Sequence, residues 1–573
     1  MNIKSRGTPS AVALLALLMT GCARTPVAPR SDAPVLGTAG SPHARNVVVS
    51  IVVDQEAAWI ADERWPLLPA DGGFARLRRE GTYAREVRYA HSVTDTAPGH
   101  AALYTGLPPR GSGVWGNEVL DEKGAKVSIL TDPATHLVTS EGITAKAGSS
   151  LAPSFAPTIA DRLRDAHADA LIASISIKDR GAIFAGGRHP TASIWFNKGL
   201  DRFVTATVFA PTLPPWVSTV DVAKLRAKPW DLLEGAWVKS HAATPDEQPG
   251  EGGLGGIPIT FPHDVAHATA PATAFIGSPF ADDAVFALAL AAIDAEHAGD
   301  RPTLIALSLS ANDYIGHAYG PDSWEAWDEL RRLDASLARF FAQLDARFGE
   351  SGWSAILSAD HGVTTMPEVA NGVPSARPWC APDAKPDRWE RSCEHVGRIF
   401  SEDLARELGP DVRGIIDPYV YLTPAARALP EPAATKLRAT LAATILRHPE
   451  VARVIDTRTI PASCPPESDA SIDALVCRSF VPGKAGDLYV VAKRGSFFDP
   501  DVVVGKGSSH GSPYLFDRTV PLLVRAPGKV TAGRVIDEPL SFRTFARTLS
   551  TLLGVEPPDA DAPHATDLAR PTP

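Results

Sequence analysis

Four apolar runs, each ending in a charged or metal-ligating residue, organise the hydrophobic pattern of this chain. Residues 46–53, NVVVSIVV, are β-branched and apolar without alternation, as in a strand buried on both faces, and the run ends in Asp54. Residues 170–177 repeat the pattern and deliver Lys178 and Arg180; residues 303–309 lead to Asp313 and His317; residues 354–358 lead to Asp360, His361 and Gly362. Between these runs the period changes. Residues 155–163 and 280–295 read as helices. Residues 324–348 place Leu330, Leu333, Leu337, Phe340, Phe341 and Leu344 at three- and four-residue steps, an amphipathic helix whose apolar stripe is core and not a cofactor box. Residues 488–492 read as a strand returning to the core, 520–524 as the final strand and 542–553 as the final helix. Strands alternating with helices predict an α/β fold built on a central sheet.

Two stretches break that rhythm. From 181 to about 278 periodicity weakens, Pro and Gly rise, and Trp195, Phe196 and Trp216 are scattered, which predicts an insertion covering the site. A second insertion is expected from about 366 to 486, where 418–422 and 433–446 add a strand and a helix.

Composition narrows the function. Lys plus Arg is 56 against 66 for Asp plus Glu, a net charge of -10, and no basic tract appears, which argues against a nucleic-acid-binding surface. Lys4 and Arg6, the apolar residues 11–19 and then Thr20, Gly21 and Cys22 read as a secretory signal, too short to span a bilayer. Cys22 in that setting resembles a bacterial lipobox. The resemblance implies removal of residues 1–21 and a lipid anchor on Cys22 in the bacterial periplasm; a simple soluble secretory signal is the alternative. Residues 23–45, rich in Pro, Ala, Ser and Gly, read as a flexible tether, leaving 46–573 as the catalytic domain. Cys380, Cys393, Cys464 and Cys477 are an even set in an exported chain, and their spacing suggests Cys380 with Cys393 and Cys464 with Cys477, other pairings staying open.

The candidate chemistry centres on residues 94–117. Thr96 opens a helix-like run with Pro98 just inside it, where unpaired amides and the helix dipole favour an anion, so Thr96 is the candidate nucleophile. Taken alone it is an ordinary N-cap. Asn117 follows a Gly-rich turn and can donate to a bound anion, or simply make the turn. Alternation at the strand end would aim Lys178 and Arg180 to one side. The four-residue step from Asp313 to His317 lets both reach one ion, and His510 lies in the Gly- and Ser-rich KGSSHGSPY. Each residue has a bland reading as a cap or surface group. Their repetition at strand ends, where open α/β sheets form their sites, points to metal and phosphate chemistry.

The motifs IVVDQ, TAPGH, GN, IKDRG, NDYIGHAYG, SADHG and SHGSPY, in that order, resemble the alkaline phosphatase superfamily over about residues 46–556, most closely its PafA-type periplasmic phosphomonoesterases. The resemblance implies an alkaline-phosphatase-like sheet with helices on both faces and two inserted cap regions. It implies two zinc ions, one held by Asp54, Thr96, Asp360 and His361, the other by Asp313, His317 and His510. Small phosphorylated metabolites would be substrates, hydrolysed as monoesters to inorganic phosphate through a phosphothreonine, with Asn117, Lys178 and Arg180 binding the non-bridging oxygens. No acidic set for the third, magnesium site of the Ser enzymes is evident, and Lys178 would supply that charge. Thr also serves the related nucleotide pyrophosphatase/phosphodiesterases, so a diesterase of the same fold is the nearest alternative. A sulfatase lacks support because Thr96 is not in a C/S-x-P-x-R motif. A catalytically silent, metal-binding envelope lipoprotein is the alternative from a different class.

Overall fold

The computed structural model describes residues 47–372, 385–391, 396–559 and 565–570. The expected signal, Cys22, the tether, Cys380 and Cys393 lie outside the described residues. A twelve-stranded sheet forms the centre. Its middle is parallel: Trp353–Ser358, Val47–Val53, Thr303–Leu309, Leu171–Ser176 and Ala192–Asn197 lie side by side in that order. Antiparallel strands lie on both flanks, Thr519–Arg525 with Thr82–Arg88 on one and Arg202–Ala206 with Thr131–Thr139 on the other; the strand expected to be final is followed by Arg534–Ile536 and Leu540–Ser541, which pair with Thr82–Arg88 in parallel.

The unbroken apolar runs follow from burial on both faces. In Val47–Val53, Val48 and Val52 enter one core while Val47, Val49, Ile51 and Val53 enter another, because successive side chains in a strand point to opposite faces. The first core is closed by the helices Thr96–Thr105, Ile159–Ala166 and Arg543–Leu553, the second by Pro279–Ala295 and Trp324–Phe348. All six residues of the expected stripe on Trp324–Phe348 are buried. The helix expected at 155–163 begins at Ile159, because Thr158 and Asp161 make a reciprocal capping box there.

Two expectations about the insertions change. Within 181–278, Ala192–Asn197 and Arg202–Ala206 belong to the main sheet, and Trp216 and Trp230 pack into the second core. The scattered aromatic residues are therefore core contacts rather than a cover. The strand Leu488–Ala492 does not return to the main sheet; it joins Val412–Ile416, Tyr419–Leu422 and Val451–Asp456 in a separate four-stranded antiparallel sheet. Its residues are all buried, since one face packs on the main core and the other on a small core of its own. A doubly buried strand reads alike in either sheet. Cys464 and Cys477 are bonded, as their spacing suggests.

Phe341 is fully buried and stacks on Trp353 at the start of a central strand, with ring centroids 5.4 Å apart. Phe341→Ala should destabilise the fold by about 3–5 kcal/mol, the usual cost of such a truncation, read as a lower denaturant midpoint with an unchanged slope.

Candidate active site

The carboxyl ends of the parallel strands converge. Asp54 directly follows Val47–Val53, and Asp360 and His361 follow Trp353–Ser358. Asp313 and His317 occupy the first and last turns of the helix Ala311–Tyr319, which follows Thr303–Leu309. Lys178 is the N-cap residue of the helix Asp179–Gly186, which follows Leu171–Ser176. Thr96 is the first residue of Thr96–Thr105, with Asp95 at the cap position. Its hydroxyl thus does not cap the helix. Thr96 Oγ1 lies 3.2 Å from Lys178 Nζ and 3.5 Å from His361 Nε2.

A cavity of about 220 Å³ lies here, lined among others by Thr96, Asn117, Lys178, Arg180, His317 and His510. Asp313 also lines it, while Asp54, Asp360 and His361 are fully buried. No residue of 181–278 lines this cavity, so that stretch does not cover the site as expected; Ser401, Asp417 and residues 499–502 form walls instead.

Hydrogen bonding decides what the imidazoles can do. Nδ1 of His317 faces Ser508 O at 2.9 Å, Nδ1 of His361 faces Gly362 O at 3.0 Å, and Nδ1 of His510 faces Thr94 O at 2.8 Å. A carbonyl only accepts, so each Nδ1 carries the hydrogen, and each neutral ring is left with a bare Nε2. His317 Nε2 and His510 Nε2 lie 3.3 Å apart, with Asp313 Oδ1 3.2 Å and 3.6 Å from them. Lone pairs this close require a proton or a metal ion between them. Burial lowers the pKa of His510, but Asp313 and Asp95 outweigh it and hold the group well above its ordinary value, so the cluster attracts positive charge.

The carboxylates make the same demand. Burial, then the charges of Asp313 and Asp360, push Asp54 well above the usual carboxylate range, with Lys178 opposing. Lys178 Nζ is 2.8 Å from Asp54 Oδ2 and also contacts Asp313 Oδ2. Asp360 Oδ2 is buried and lies 3.5 Å from His361 Nε2. Ligand atoms of Asp313, His317 and His510 fall within 4.8 Å of one another, as do those of Asp54, Asp313 and His361. Asp313 therefore groups with His317 and His510 and also lies near Asp54 and His361. Mixed imidazole and carboxylate donors fit a borderline divalent metal.

Beside these groups are anion donors. Asn117 Oδ1 accepts the Ala97 N–H at 2.8 Å, which leaves its NH2 group for another partner. Arg180 lies 3.7 Å from Asp179, and its buried Nε has no hydrogen bond among the described residues.

Two residues that sequence reasoning left without a role hold the ligands. Gln55 donates from its backbone to Asp360 Oδ1 at 3.2 Å and from Nε2 to Asp313 Oδ1 at 2.9 Å, in a left-handed conformation with φ of 69°. Gly316 makes room for it, since a Cβ there would lie 1.9 Å from Gln55 Oε1. His100 reaches Asp360 Oδ2 with Nδ1 at 3.1 Å and Ser308 Oγ with Nε2 at 3.0 Å. The signals were the Gln beside Asp54 and the His four residues after Thr96.

Known proteins resemble the chain over most of its length. Residues 48–501 match the family described as type I phosphodiesterase / nucleotide pyrophosphatase. The chain is similar to alkaline phosphatase PafA of Elizabethkingia meningoseptica, 28% identical over 526 residues that cover 89% of this chain and 92% of that protein. It is also similar to alkaline phosphatase PhoV of Synechococcus elongatus, 28% identical over 526 residues covering 89% and 90%. The crystal structure of wild-type PafA shares the fold, with a TM-score of 0.77 at 24% identity, covering 91% of this chain and 98% of that one.

Gly99 lets the Thr96 helix approach the Asp360 backbone, where a Cβ would lie 2.2 Å from the carbonyl oxygen. Gly99→Ala should keep the secondary structure by circular dichroism but weaken metal affinity by about 10–100-fold in a chelator competition, the range for disturbing the support of a ligand.

Proposed function

This chain belongs to the type I phosphodiesterase / nucleotide pyrophosphatase family, and from that premise we propose that it is a zinc-dependent alkaline phosphatase acting on small phosphate monoesters through Thr96. One observation carries the reading: bare imidazole nitrogens and buried carboxylates meet beside the Thr96 hydroxyl and a cluster of anion donors. Asp54, Thr96, Asp360 and His361 would hold one ion and Asp313, His317 and His510 the other, Asp313 lying near both. Zinc bound there would lower the pKa of the hydroxyl and stabilise charge on the attacking and leaving oxygens.

The residues themselves account for the rest of the reaction. Arg180, the Asn117 amide and Lys178 receive the non-bridging oxygens and hold phosphorus in line with Thr96 Oγ1. Thr96 Oγ1 gives up its proton and attacks phosphorus, the bond from phosphorus to the leaving oxygen breaks, that oxygen takes up a proton to leave as the alcohol, and a phosphothreonine forms. Water then attacks from the opposite direction, releases inorganic phosphate and restores the hydroxyl. Positioning and charge stabilisation suffice for phosphoryl transfer.

A diester replaces one non-bridging oxygen with an esterified group, which leaves a cationic donor poorly paired. Truncating a buried charge pair costs about 2–5 kcal/mol, or roughly 30- to 5,000-fold. The enzyme should therefore prefer monoesters in kcat/KM, lose activity on chelation and regain it with zinc better than magnesium. The Lys178→Ala, Arg180→Ala double variant should lose far more monoesterase than diesterase activity. Equal losses on the two substrates would move the assignment to a phosphodiesterase, and full activity after metal stripping would remove the metal from the mechanism.

For its address, we propose export with cleavage before Cys22 and acyl anchoring in the periplasm. Cys22→Ser should release the protein from membranes into the soluble periplasmic fraction, since acyl chains and not a spanning helix would hold it.

A further inference from the structure

A cavity of about 1,020 Å³ lies apart from the active site, between the start of the 89–107 segment and the chain's last elements. Leu107 and Leu540 give it apolar walls, Tyr89 and Leu475 lie buried behind them, and Arg518 is among its lining residues. Arg518 is only 6% exposed. Its Nε donates to Pro513 O at 2.9 Å and its Nη1 to Tyr89 O at 3.3 Å, and among the described residues no carboxylate lies within ion-pair distance of it. The other arginines of the wall differ. Arg543 is paired with Glu467 and Asp559, and Arg88 with Glu86 at 2.6 Å.

The surroundings reinforce the excess of positive charge. Arg478, 4% exposed, gives its hydrogens to the carbonyls of Ala90, Pro465, Pro466 and Asp469 and likewise has no carboxylate partner among the described residues. Both ring nitrogens of the buried His91 lack a hydrogen bond, and burial together with Arg478 and Arg518 pushes its pKa down to about 3. Glu390 acts on Arg518, and Glu467 and Asp469 on Arg478, only from beyond ion-pair distance, so neither buried guanidinium has the close anionic partner that such a charge normally takes.

We propose that this cavity binds an organic monoanion with an apolar body, its carboxylate or sulfonate head on Arg518 and its body against Leu107 and Leu540. Size, apolar walls and one convergent charge are what such a ligand needs. The site is also joined to the catalytic loops. Arg518 holds Pro513, three residues beyond His510, and the Tyr89 hydroxyl donates to Ala359 O at 2.7 Å, next to Asp360. Asp517 accepts the Ser512 N–H at 3.0 Å in the same loop. An occupant that fixes Arg518 thus stiffens the supports of two candidate ligands, and it should raise the Tm of the metal-loaded protein.

The test uses the mature metal-loaded chain and the fluorescent probe 8-anilinonaphthalene-1-sulfonate. Saturable binding at one site is expected, displaced by octanoate but not by octanol at equal concentration. Arg518→Met should weaken it by about tenfold or more, the usual effect of removing a charge-assisted hydrogen bond. Ala470→Trp, at an exposed residue of the lining, should block the cavity and abolish binding while leaving Arg518 and the fold in place. Absence of saturable binding, equal displacement by octanol, or full affinity in Ala470→Trp would each overturn the proposal. If Arg518→Met does not fold, the octanoate comparison and Ala470→Trp decide alone.

Discussion

Three carboxylates buried beside one another, Asp54, Asp313 and Asp360, set the terms for everything around them. Like charges in a dry site repel strongly, so the groups that approach must bring positive charge or bare donors able to hold it. Lys178 brings a full charge. The three imidazoles bring lone pairs, each aimed by a backbone carbonyl that fixes its tautomer. Gln55 and His100 then restrict how the carboxylates can turn.

The parallel sheet makes this crowding feasible. Adjacent strands place their ends within a few ångströms, so Asp54, Lys178 and Asp360 reach the common point directly from their strand ends, while Asp313 and His317 reach it from the helix Ala311–Tyr319. The Thr96 helix enters from outside the strand sequence and is drawn close by Gly99 against Asp360. Its first amides, the hydroxyl of Thr96 and the Asn117 amide consequently share one small space.

Much of this was legible in the residues. Doubly buried strands have no alternation to hide, so Val47–Val53 and its neighbours stood out, and charged groups at their ends were conspicuous against apolar runs. The allegiance of Leu488–Ala492 was not legible, because burial on two faces says nothing about which sheet a strand joins. Likewise Trp216 and Trp230 serve a helix layer, a role that Pro- and Gly-rich surroundings conceal. Gln55 and His100 were missed because they bind ligands, not the substrate or metal, and one chain shows no spacing rule for such support.

The ligands' places along the chain have a consequence for biogenesis. Asp54 arrives early, Asp313 to His361 in the middle, and His510 only shortly before the strand Thr519–Arg525 is complete. Until that loop folds back to Thr94, the first-made carboxylates face one another without their full set of neighbours. A cation taken up by the nascent chain would meet an unfinished cage. The full donor set is therefore assembled only when folding is complete, so any choice among ions belongs to the folded protein and not to the growing chain.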